Sequence, residues 1–295
     1  MPSPSSQSTT VAHPRGGSAW RAAAGFVLVA FVFSWAPWIA LLATTADPFS
    51  GPASLALWIV GGFGPPIAAV VVVAASSGRA GLRRLLRGLL AWRLGAWYLV
   101  LLLPLPVVVA AVLYMVATGQ AALELAGVGH WLLLPVMMLG GILLGGSEEI
   151  GWRGYLLPRL QDRIGALTAS LIIGIVWAAW HAPLFLLETT SQAAFSPTWF
   201  TLHAVALTVL LTWMYNGSGG NLLLAVLFHG VINGWYNAVV AGVAPEAAAG
   251  FLGPVAVLLT LIAAWLVLRH GPAHLSARPR RGWHEQPPDA DSRPT

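Results

Sequence analysis

Long apolar stretches recur along the chain, and polar residues are largely confined to the intervals between them. The runs extend from about 19 to 43, 55 to 75, 97 to 116, 131 to beyond 149, 167 to 187, 199 to 215, 222 to 243 and 251 to 268. Helices of about twenty apolar residues cross a hydrocarbon core of roughly 30 Å. The short alternation of a membrane β-strand is absent. The pattern therefore predicts an all-α protein, a polytopic transmembrane bundle of about eight helices. Pro37 is expected to bend the first helix, and Gly64-Pro65-Pro66 to break the second. Gly140, Gly141, Gly145 and Gly146 thin the fourth, which lets neighbouring backbones approach closely.

The intervals carry their own pattern. Between Arg79 and Arg93, Arg83, Arg84 and Arg87 fall on one side of a helix, with Leu82, Leu85, Leu86 and Leu89 largely opposite. That suits an amphipathic helix on the membrane surface, with a plain loop as the alternative. The expected organisation is a disordered tail at 1–18 and N-terminal helices with this basic segment at 19–130. A helical core at 131–243, a last helix at 244–270 and a disordered tail at 271–295 follow. The first run is longer than a signal-peptide core and lacks a small-x-small site near Ala46, so it is expected to be retained.

Composition agrees with this division. The 295 residues are 57% hydrophobic and 8% charged, against roughly 25% charged in soluble domains. The net charge of +5 comes from arginine alone, as the chain has no lysine. These arginines cluster at run ends, where they set topology and meet anionic lipid, so nucleic acid is not the implied partner. With the N-terminus in the cytoplasm, the N-terminal tail, the 79–93 segment, a 153–163 loop and the C-terminal tail are all cytoplasmic. The loops around Glu124, Glu188 and Glu246 carry no arginine and face outward. Tryptophans at run ends, such as Trp20, Trp97, Trp131 and Trp199, read as interfacial anchors. Cysteine is absent, which excludes disulfides, thiolate ligands and a cysteine nucleophile.

Ionisable groups inside such a chain are functional candidates. Glu149 and Arg153 are spaced i,i+4 and can pair, which leaves the adjacent Glu148 free to act as a general base towards water. The plainer alternative is a solvated helix end. His181 follows Trp177 at the same spacing, and His229 precedes Asn233 likewise, so ring and partner share a face in each pair. Asparagine offers a donor and an acceptor, suited to orienting an imidazole or holding an oxyanion. His203 has no polar partner at helical spacing and reads as a core histidine. A glutamate with two histidines is either a catalytic zinc set or a base with electrophilic partners. With these helix boundaries Glu148 sits near the cytoplasmic end of helix four, whereas His181 is roughly 20 Å along helix five.

Glu148-Glu149-x-x-x-Arg153, Trp177-x-x-x-His181 and His229-x-x-x-Asn233, in that order, resemble the motifs of the CPBP family. This family comprises CAAX prenyl protease 2 and the bacteriocin-processing (Abi) intramembrane endopeptidases. The likeness covers about Gly140 to Asn237, and Trp177 stands where the family usually has phenylalanine. The resemblance implies that Glu148 activates water with His181, that Glu149 and Arg153 support this motif, and that His229 and Asn233 stabilise the oxyanion. It implies a peptide or protein substrate at the membrane and a site open to the cytoplasm. It leaves two chemistries, a zinc-dependent one on Glu148, His181 and His229 and a metal-free glutamate mechanism. Two other classes fit the composition: a silent membrane scaffold or immunity-type protein, and a proton-coupled carrier. The carrier class is expected to show internal repeats, and none is seen.

Overall fold

The computed structural model describes residues 17–92, 94–119, 132–242 and 245–283. Most of the two terminal tails, Arg93, Glu124 and Trp131 lie outside the described residues. Among those described the secondary structure is helical. The helices are α1 (Gly17–Leu42), α2 (Pro52–Gly62), α3 (Gly64–Leu89), α4 (Pro104–Ala117), α5 (Leu134–Leu143), α6 (Ala166–Trp180), α7 (Pro197–Gly217), α8 (Leu222–Ala241) and α9 (Pro245–His270). Seven helices are long and apolar enough to cross a membrane. The remaining predicted crossing is an interrupted one. After α5 the chain continues through short 3-10, α and π turns to a last α-helical stretch, Leu157–Gln161.

Breaks fall where proline and glycine put them. Pro65 and Pro66 open α3, so the second predicted run is divided between α2 and α3. Gly78, at φ 54° and ψ −152°, then kinks α3 before its arginines. Beyond the kink the chain is helical: Leu85 is buried and Leu82 and Leu89 half-buried, with Arg83 and Arg87 exposed, but Leu86, expected on the apolar side, is exposed and Arg84 is half-buried.

Glycine also decides how the helices pack. Gly141 on α5 faces Gly230 and Gly234 on α8, and Gly145 on its extension faces Asn233. A Cβ on Gly234 would fall 2.8 Å from Met138 Cα. Gly141 with Gly145, and Gly230 with Gly234, are small-xxx-small, the spacing that lets helices gain van der Waals contact where lipid offers no hydrophobic drive. Buried indole N–H groups are satisfied between helices, as an apolar interior demands. Trp35 donates to Trp180 O at 2.9 Å, Trp38 to Trp58 O at 3.1 Å and Trp180 to Ser34 Oγ at 2.8 Å.

The two ends of the bundle differ. One gathers the far half of α3, Gln161, Asn216, Asn221 and the stretch after α9, with Asn221 donating to Ala91 O at 2.8 Å. Residues 271–283, expected to be a disordered tail, pack here instead. Leu275 is fully buried, Asn216 donates to His274 O at 2.8 Å, and Arg280 Nε donates to Gln161 O at 2.8 Å. Trp283 is held between Arg84 and Arg159, whose guanidinium carbons lie 4.0 and 4.4 Å from its ring. The opposite end carries Thr45, Asp47 and the 188–192 loop, joined where Thr189 Oγ1 donates to Asp47 at 2.8 Å.

Candidate functional site

The paired glutamates sit in the interrupted stretch, and the interruption explains their position. Gly146–Glu148 is a 3-10 turn, Glu149–Gly151 a single α turn and Trp152–Leu156 a π turn. Such π turns concentrate at functional sites because they re-aim side chains. Here Gly146 and Gly151 lie against Val226 and Pro65, so neighbouring backbone closes around the segment. Glu148, Glu149 and Arg153 are 6%, 0% and 0% exposed, which removes the solvated-helix-end alternative. Arg153 is not in a loop, as the expected 153–163 segment had it; the helical path stays inside the bundle until Gln161. Glu148 and Trp177 consequently lie at similar depths on either side of the turn at 162–165. The apparent offset between helices four and five disappears for that reason.

Glu149 holds two partners. One guanidinium nitrogen of Arg153 is 2.9 Å from both carboxylate oxygens, and His229 Nδ1 lies 2.8 Å from Oε1. Glu148 takes a different pair. Its Oε2 accepts from Trp177 Nε1 at 2.6 Å and from Trp152 Nε1 at 3.4 Å. Trp152 is an i,i+4 neighbour of Glu148, whereas the Trp177–Glu148 and His229–Glu149 contacts join different helices, which local spacing does not reveal.

His181 closes the end of α6. Its Nδ1 lies 2.8 Å from Trp177 O, and a carbonyl can only accept, so Nδ1 carries the proton and Nε2 remains. The Trp177 ring contacts the edges of both histidines, with centroids 5.3 Å from His181 and 5.2 Å from His229. Asn233, one turn beyond His229, packs its amide over Gly145 at a place where any Cβ would overlap it. His203, read as a core histidine, has a partner on another helix: its Nε2 is 3.1 Å from Tyr236 Oη. Glu148, His181, His203, His229, Asn233 and Tyr236 all line one cavity of about 590 Å³.

The cavity's lining extends to Thr189–Gln192 and Phe49. Towards the arginine-bearing end, the Phe26 ring meets Trp152 edge to face and lies tilted against Tyr155.

Zinc would have to close on Glu148, His181 and His229. Among the described residues no three His, Cys, Asp or Glu side chains are placed to hold a metal ion. As arranged, the described residues do not form a set that closes on a metal ion.

The family model described as type II CAAX prenyl endopeptidase Rce1-like matches residues 129–235. A CAAX prenyl protease 2 of Methanococcus maripaludis is 35% identical over 107 residues, which are 34% of this chain and 39% of that protein. A lysostaphin resistance protein A of Staphylococcus haemolyticus is 24% identical over 97 residues, 32% of this chain and 25% of that one. The chain thus spans less than half the length of these relatives. The matched stretch begins before α5 and ends past Asn233, so it contains Glu148, Glu149, Arg153, His181, His229 and Asn233 but only part of the cavity lining. On these grounds residues 129–235 are similar to the membrane protease domain of the CAAX-protease/Abi (CPBP) family.

Proposed function

We propose that the protein is an intramembrane endopeptidase that hydrolyses a peptide bond of a membrane-associated substrate, with Glu148 as general base. The observation that carries this reading is the placing of Glu148. A buried carboxylate lies in the cavity, anchored through one oxygen by two indole N–H groups. Oε1 is left to take a proton from water. His181, oriented by Trp177 O, presents Nε2 as acceptor for the other hydrogen of that water. The water oxygen then bonds to the scissile carbonyl carbon, and its proton passes to Glu148. As the C–N bond breaks, Glu148 returns that proton to the leaving amine.

The developing oxyanion needs donors. Asn233 Nδ2 is one, and His229 Nε2 is a second when the ring is doubly protonated. Glu149 and Arg153 act through His229: the carboxylate grips Nδ1 and the guanidinium holds the carboxylate, which fixes the ring. No step is routed through a metal. The test is cleavage of quenched peptides by purified protein in detergent. The wild type should cleave, and Glu148→Gln, folded to the same extent, should not. Full activity in the variant would sink the assignment.

A further inference from the structure

The cavity holds a second polar pair, which the proposed chemistry leaves unused. His203 on α7 and Tyr236 on α8 both line it, are 5% and 7% exposed, and meet with Nε2 3.1 Å from Oη. A neutral imidazole brings one N–H and a phenol one O–H. Their contact consumes one of these two hydrogens, so the other is left over. On His203 Nδ1 it would be a donor without an acceptor, since Nδ1 is buried and meets no hydrogen-bonding atom. Orphaned buried N–H groups are rarer than unpaired acceptors. The ring therefore donates from Nε2 to the phenol oxygen, and the spare hydrogen is the phenolic one. Tyr236 Oη has no second partner among the described residues.

The surroundings specify what that hydrogen can meet. The Tyr236 ring lies edge to face with Phe251 at 5.4 Å, and the cavity's described lining contains no arginine in a chain without lysine. A carboxylate would be buried here with no cation beside it, which is costly; a neutral carbonyl asks only for one donor. Phe200 sets the distance from the reacting groups. Its ring centroid is 4.9 Å from that of His181 and 6.1 Å from that of His203. An extended chain advances about 3.3 Å per residue, so from a bond held at Glu148 and His181 it reaches the pair within about three or four residues. From this we infer that Tyr236, positioned by His203, binds substrate: its hydroxyl donates to a main-chain carbonyl in an uncharged stretch of polypeptide a few residues from the cleaved bond. The inference rests on the protease reading for the bound chain's being a substrate, and on the hydrogen count for the donor. A contact made equally in ground and transition states acts on binding and not on the chemical step.

The test uses acetylated and amidated peptides of alanine, leucine and phenylalanine, with one amide at a time replaced by an (E)-alkene that keeps the shape but removes the carbonyl. Binding is measured in detergent to Glu148→Gln, which should leave the peptides uncut, with and without Tyr236→Phe. One replacement should weaken binding about three- to tenfold while Tyr236 is present, the loss of one neutral hydrogen bond. In Tyr236→Phe the same replacement should cost nothing further. His203→Gln, whose amide can donate in place of Nε2, should recover most of the affinity that His203→Leu loses. In steady-state cleavage by protein that retains Glu148, Tyr236→Phe should act on KM and not on kcat. Replacements that weaken binding equally with and without the hydroxyl would overturn the proposal, as would Tyr236-dependent binding of free-acid peptides alone. So would a Tyr236→Phe protein with a lowered thermal midpoint and uniformly weaker binding of every peptide, or no binding by any of them. Coupled binding with no cleavage by the wild type would instead sink the protease reading and leave the carbonyl site standing.

Discussion

At the scale of single residues, the site is a set of buried polar atoms with specific partners, and each partner predicts a different failure. Trp177 is both wall and donor. Trp177→Phe keeps a ring beside both histidines but removes the 2.6 Å contact to Glu148. A hydrogen bond to a charged group is worth about 1.5–3 kcal/mol, so kcat should fall roughly ten- to a hundredfold. KM should change little, because the indole touches the base and not the substrate. Asn233→Ala should lower kcat by roughly 10²–10³-fold if its amide is an oxyanion donor, and steady-state kinetics on one peptide measures both. Arg153→Leu acts differently. It strips Glu149 of a buried partner, and breaking such a pair costs about 3–5 kcal/mol. The expected outcome is a lower yield of monodisperse protein by size-exclusion chromatography, before any loss of activity is assessed.

At the scale of elements, the crossing of α5 and α8 places Glu148 against His229 and Asn233. It does so through bare backbone. Gly141 meets the backbone of Gly230 and Gly234 directly, and Gly145 leaves room for the Asn233 amide. Gly230→Val would put branched carbons into the backbone of Ile142, which has nowhere to retreat. Overpacking of this kind typically costs about 1–3 kcal/mol. A lower thermal midpoint in detergent together with lost activity is expected, whereas Gly140→Ala, with open space around its Cβ, should leave both unchanged. The same element explains the position of the glutamates. Short 3-10 and π turns after α5 keep the chain in the bundle and turn Glu148 towards α6 and Glu149 towards α8.

At the scale of the whole molecule, Glu148 in the proposed mechanism activates water directly, without an ion. Activity is therefore expected to survive exhaustive chelation, with metal analysis of the active protein finding no stoichiometric zinc. Zinc bound one-to-one in the wild type and lost in His229→Ala together with activity would reverse this. The strap at 271–283 belongs to this scale as well. Trp283→Ala removes two cation–π contacts of about 0.5–1 kcal/mol each. It should lower thermal stability slightly while leaving the cavity's chemistry intact, as differential scanning fluorimetry and peptide cleavage would show.

The one-dimensional signal carried much of this. Apolar run length predicted the helices, because a bilayer imposes a length that a sequence displays openly. Helical spacing also predicted the pairing of Glu149 with Arg153 and, in part, the amphipathic arginine helix after Gly78. Three features were decided by tertiary structure. A helical path that continues from α5 to Gln161 could not be told from one that leaves the membrane after Glu149, since charged residues mark a helix end in either case. Only the neighbours that bury Arg153 distinguish them. The contacts of Glu148 with Trp177, His203 with Tyr236 and His229 with Glu149 join different helices at separations of 29, 33 and 80 residues, beyond any local periodicity. Lastly, residues 271–283 are rich in arginine and proline and read as a disordered tail. What folds them is contact with the bundle through Leu275, Arg280 and Trp283, which no local period marks.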